Sequence, residues 1–69
     1  MYTIIVSSKD EGKTVSEIIA LFAEEKKSYL PITECLVIID KKVLDYSELF
    51  SVFPKKEQKI LVYKLSYGG

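Results

Sequence analysis

The sequence has no histidine, no tryptophan and no arginine, so all ten of its basic side chains are lysines. Lacking His, it has neither an imidazole general base nor the commonest metal ligand; lacking Arg, it has no bidentate fork for phosphate. These absences exclude self-contained hydrolytic or phosphoryl-transfer chemistry and predict a protein that is not itself an enzyme. A single cysteine, Cys35, rules out an internal disulfide. The fold must therefore rest on packing, as suits a reducing, cytoplasmic setting. An excess of charge of either sign is also missing: ten Lys balance ten acidic residues. Without a basic surplus to release counterions, no nucleic-acid partner is expected. Apolar runs such as Leu36 to Ile39 are far too short to cross a bilayer, so no membrane partner is expected. Met1 to Val6 is likewise too short for a signal peptide, and Lys9, Asp10 and Glu11 follow at once.

What the chain does have is apolar bulk, 48% of 69 residues. A chain of this size makes one small domain and buries only roughly 60% of the surface it exposes when unfolded. Nearly all of its Ile, Leu, Val and Phe must serve one core. Tyr2, Thr3, Ile4, Ile5 and Val6 are β-branched or aromatic and predict a first strand, ended by the polar cluster Ser7 to Lys13 around Gly12. Thr14-Val15-Ser16-Glu17 is a capping box. Val15, Ile18, Ile19, Phe22 and Ala23 follow at the spacing of one buried helical stripe, predicting a helix over about 14–27. Cys35 to Ile39 is continuously apolar, as for a strand that is central or covered on both faces. The break Asp40-Lys41-Lys42 predicts a hairpin into Val43, although Lys is a poor residue for positive φ. Asp45 can cap a short helical turn, limited by Pro54, and Ile60 to Leu65 forms a last strand.

One amphipathic helix over one sheet is an α+β roll, and the ubiquitin-like β-grasp is the arrangement that fits best. That fold class implies a mixed sheet with its first and last strands parallel at the centre. Only about seven residues separate the first strand from the helix, so the first hairpin must be shortened or lost. The expected division is a β-grasp domain over 1–65 and a flexible Gly-Gly tail over 66–69.

Two of the three glycines are Gly68 and Gly69. Glycine has no Cβ, so such a pair can be drawn extended through a narrow channel, with the α-carboxylate of Gly69 as the only reactive group. A partner enzyme can adenylate that acid, and the carrier then needs no catalytic side chain. A frayed, glycine-rich end is the alternative reading.

The chain resembles the ThiS/MoaD-type sulfur-carrier family of ubiquitin-like β-grasp proteins. The likeness lies in Met1-Tyr2-Thr3-Ile4-Ile5-Val6, Thr14-Val15-Ser16-Glu17-Ile18-Ile19, the strand Leu36-Val37-Ile38-Ile39 with its hairpin into Val43, and the run Ile60 to Gly69. The departures are the short first connection, Glu57-Gln58 where the family has Gly-Asp, Asp40-Lys41 where it has Asn-Gly, and Leu65-Ser66-Tyr67 before the glycines, which assigns no subfamily. The resemblance implies a ubiquitin-activating-type adenylyltransferase that spends ATP on Gly69, a sulfur donor that converts it to a thiocarboxylate, and a downstream sulfur-accepting synthase in a cofactor or tRNA pathway. The carrier itself binds no cofactor. The alternatives are a ubiquitin-like modifier that forms isopeptides through Gly69, and a β-grasp interaction module whose tail is not activated.

Tyr63 and Leu65 share one face of the last strand at a period of two, and Tyr67 continues it, making these three a docking patch or ordinary packing. Gly68 serves threading. Cys35 is read as an inert core thiol, and Lys55, Lys56 and Lys59 as a solvated loop. No carboxylates are spaced to hold a metal.

Overall fold

The computed structural model describes residues 1–65. The expected flexible tail over 66–69 lies outside them. Four strands form one sheet: β1 (Tyr2–Ile5), β2 (Cys35–Ile39), β3 (Lys42–Val43) and β4 (Lys59–Lys64), in the order β1-β4-β2-β3. Helix α1 (Val15–Lys26) packs on one face, and a single turn, α2 (Tyr46–Leu49), lies between β3 and β4. Among the described residues no helix is long and apolar enough to cross a membrane.

Local chemistry explains the element ends. The Thr14 hydroxyl accepts from the Glu17 N–H at 3.4 Å, and the Glu17 carboxylate accepts from the Thr14 N–H at 2.9 Å. That is the capping box read from the sequence. Lys27 closes α1 in the left-handed conformation, φ 53, so that the N–H of Ser28 reaches the Ala23 carbonyl at 2.8 Å. Asp45 and Glu48 repeat the box at α2. In the β2–β3 hairpin Asp40 and Lys41 have φ 51 and 65, the two positive values of a type I′ turn. The hairpin therefore forms with a lysine in a conformation that glycine suits better.

The core is a single layer between α1 and the sheet. Val15, Ile18, Ile19 and Ala23 of the helix meet Ile4 of β1, Val37 and Ile39 of β2 and Ile60 and Val62 of β4, with Val6, Leu30 and Leu49 closing the ends. Tyr2 and Phe22 meet edge to face at 5.8 Å where β1 begins.

The sheet corrects one expectation. It is antiparallel throughout rather than mixed: β4 pairs antiparallel with β1, Tyr2 opposite Val62 and Ile4 opposite Ile60, and antiparallel with β2. The first and last strands are neighbours, as expected, but they are not parallel, and β1 is an edge rather than a centre. The cause is parity. Each long element carries the chain from one end of the domain to the other. With only α1 crossing between β1 and β2, those two strands run the same way, and β4 fits between them antiparallel to both. A second strand before the helix would reverse everything after it relative to β1. The seven residues available for it instead form a 3-10 turn (Ser8–Asp10) and the approach to Thr14.

The capping carboxylates make stability depend on pH. Backbone and hydroxyl hydrogen bonds from Thr14 hold Glu17 below its ordinary value; the Glu48 N–H and the Ser47 hydroxyl do so for Asp45, and the Lys42 ammonium, 2.6 Å away, for Glu48. A carboxylate whose folded pKa is depressed contributes stability above its unfolded pKa and loses it as pH falls through the folded one. The melting temperature is expected to hold through neutral pH and to decline below about pH 4. Thermal melts of a Glu17→Gln/Glu48→Gln variant should show a shallower acid decline, and an unchanged slope would remove the caps as its cause.

Candidate functional site

The site that the sequence points to is the segment after β4, together with the surface that leads to it. β4 is interior, flanked by β1 and β2, so the position and direction of the chain are fixed up to Leu65. Beyond the strand the Leu65 N–H donates to the Glu34 carbonyl at 2.8 Å, continuing the β2–β4 register by one further step. The Lys64 ammonium lies 4.8 Å from the centre of the Tyr29 ring, a cation–π contact at the same end of the sheet. The chain thus leaves the sheet where β1 and β2 begin.

Tyr63 and Leu65 lie as expected on one face, opposite the buried Ile60 and Val62, and are 37% and 39% exposed. Tyr67, Gly68 and Gly69 lie outside the described residues. The sequence did not foretell how much apolar surface surrounds Tyr63 and Leu65. Leu36, Ile38 and Leu61 are only half-buried, and Val43 and Ile5 are 51% and 59% exposed. The register puts Thr3, Leu61, Ile38 and Val43 in one row across all four strands, with Tyr63 opposite Leu36 in the next. This is the sheet face that α1 does not cover. Its signal was the unbroken apolar run of β2, which the sequence reading gave to a strand either central or covered on both faces; β2 is central, and only one of its faces is covered.

Cys35 is half-buried rather than in the core, and burial pushes its thiol pKa up, with Glu34 adding and Lys64 opposing. A protonated thiol is a poor nucleophile, in keeping with an inert role. Lys55, Lys56 and Lys59 border a tight loop. There the Gln58 side chain accepts from the Lys55 N–H at 2.6 Å and donates to Asp40 at 2.8 Å, and Glu57 takes φ 76. Glu57 and Gln58 together face Val6, a bulge at the entry to β4. Sequence reasoning missed Asp10, the one buried charged side chain among the described residues. Its carboxylate accepts from the Ser7 N–H at 2.9 Å and the Ser7 hydroxyl at 3.1 Å, and the Ser-x-x-Asp spacing was the available signal. Among the described residues no group of three or more potential ligands is placed to hold a metal.

The described surface is thus an apolar sheet face with a tyrosine and a leucine at the end of β4. Comparison with models of known protein families, with curated proteins and with solved structures gives no significant match to this chain.

Proposed function

We propose that this protein is a sulfur carrier of the ThiS/MoaD type, built on a β-grasp-like roll that has lost its second strand. In this reading a ubiquitin-activating-type adenylyltransferase in the cytoplasm adenylates the Gly69 carboxylate at the expense of ATP. Sulfide released by a sulfur donor displaces AMP to leave a thiocarboxylate, which a downstream synthase consumes. Tyr63, Leu65 and Tyr67 dock the activating enzyme, and Gly68 lets the acid thread to the nucleotide.

The observation that carries the proposal is the Gly68-Gly69 pair a few residues after β4 in the sequence, β4 being an interior strand, in a chain without histidine or arginine. Backbone conformation supports it. Glu57 adopts φ 76 where the family has Gly, and Asp40 and Lys41 adopt φ 51 and 65 where it has Asn-Gly. The residues differ from the family's, yet the backbone takes conformations that the family's residues favour. A second reading, an interaction module whose tail is not activated, is favoured by the antiparallel pairing of β1 with β4, which departs from the β-grasp arrangement.

Intact-mass spectrometry of the protein purified from its own host separates these readings. A carrier shows one oxygen replaced by sulfur, localised to a Gly69 that is the last residue of the working protein. A modifier appears as isopeptide adducts on other proteins. An unmodified Gly69 in every growth condition, or a working chain that continues past it, would reject activation altogether.

A further inference from the structure

The edge of the sheet that the missing strand leaves open has a use independent of the Gly69 chemistry. Among the described residues β1 is paired only on the side of β4. The ladder alternates: Val6 donates to Gln58 at 2.9 Å, so Val6, Ile4 and Tyr2 turn their backbone groups toward β4. Thr3 and Ile5 then turn theirs outward, without a partner among the described residues. Sheet edges in monomers are ordinarily blunted by lysine, proline, a bulge or brevity. The opposite edge follows that rule, since β3 has two residues and starts at Lys42 beside Lys41. Tyr2–Ile5 carries no charge and no proline, and the bulge at its end belongs to the β4 side.

Beside this edge a groove of about 760 Å³ runs between β1 and α1, with Leu21, 46% exposed, and Phe22 in its wall. Its lining carries both signs at either end: Lys9, Asp10 and Lys13 precede the helix, Glu24, Glu25 and Lys26 lie in its last turns, and Lys9 and Glu25 pair at 3.3 Å.

We propose that this edge pairs with the β1 of a second copy of the chain, antiparallel about a two-fold axis through Ile4, making one continuous eight-stranded sheet. The two-fold sets Thr3 of each copy opposite Ile5 of the other, joining the outward N–H and C=O groups of both. The contact is isologous, each copy offering the other the same Thr3 and Ile5 backbone groups, so the edge is complementary to itself. With a net charge of zero, the copies approach without long-range repulsion.

Sedimentation velocity on the 69-residue chain from micromolar to about 1 mM is expected to show a reversible monomer–dimer equilibrium, weak because the interface is small. Thr3→Pro, which removes an outward N–H, and Ile5→Lys, which charges the edge, should each raise the dissociation constant roughly tenfold or more. Val43→Lys, at the other edge, should leave it unchanged. Amide exchange distinguishes edge pairing from misfolding: the Thr3 and Ile5 amides gain protection with concentration in the parent chain, while the Leu61 and Tyr63 amides, which face β2, stay protected in both edge variants. A monomer at every concentration, a dimer that survives Thr3→Pro, or one that Val43→Lys breaks overturns the proposal.

Discussion

Ile60→Ala is expected to remove a large part of the stability of this protein, while Ile5→Ala, on the adjacent strand of the same sheet, removes almost none. Ile60 is fully buried on β4 and pairs in register with Ile4 on one side and Ile39 on the other, so its side chain is at the middle of the only core layer. Truncating a buried isoleucine costs about 2–5 kcal/mol, from lost transfer energy and the cavity left behind. A domain of this length has a total stability of roughly 3–10 kcal/mol. The loss should lower the melting temperature by 10 °C or more, at about 4–8 °C per kcal/mol for so small a domain. Ile5 is 59% exposed on the uncovered face, and its truncation should fall within about 0.5 kcal/mol. Urea and thermal melts of the two variants test this directly. Equal losses would mean that the uncovered face is packed in solution and that the single-layer core is the wrong description.

The contrast between these residues also shows what the sequence can and cannot convey. The helix was legible because its signals are local: Thr14 and Glu17 are three residues apart and read each other's backbone, and the stripe from Val15 to Ala23 has the helical period. The hairpin at Asp40-Lys41 was legible for the same reason, even with Lys41 as an unfavourable residue. Strand sense was not, because it depends on how many long elements cross the domain. The seven residues Ser7 to Lys13 carry no mark that says whether a strand is shortened or absent. The uncovered face was hidden by Leu36 and Ile38, whose apolar character conceals the inside–outside alternation that a polar residue would have shown. The buried Asp10 was missed because it ends a three-residue turn, too short to leave a periodic trace.

Deleting Gly69 is expected to abolish conversion of the chain to a thiocarboxylate while leaving its fold intact. The fold should be indifferent because every core residue among those described lies at or before Val62, and the last described backbone hydrogen bond is that of Leu65. The chemistry should not be indifferent. In the proposed reaction an oxygen of the terminal carboxylate attacks the α-phosphorus of ATP and releases pyrophosphate, and sulfide released by the donor then displaces AMP from the acyl carbon. Both steps involve the same carboxyl group, held by the partner at a set distance from the docked sheet. Removing one residue from an extended tail withdraws the acid by roughly 3.5 Å. Misplacement of a reacting group by about 1 Å can already cost some 100-fold, so a withdrawal several times larger should take the modification below detection. Gly68→Val keeps the length but adds a branched side chain where the tail must thread, and should be nearly as damaging. Intact-mass analysis of each variant expressed in the native host reads out the sulfur, and a melt of the same sample reports the fold. Undiminished thiocarboxylate in the deletion variant would show that the tail is not the working group, and undiminished function without any thiocarboxylate would leave the sheet face as the active feature of the protein.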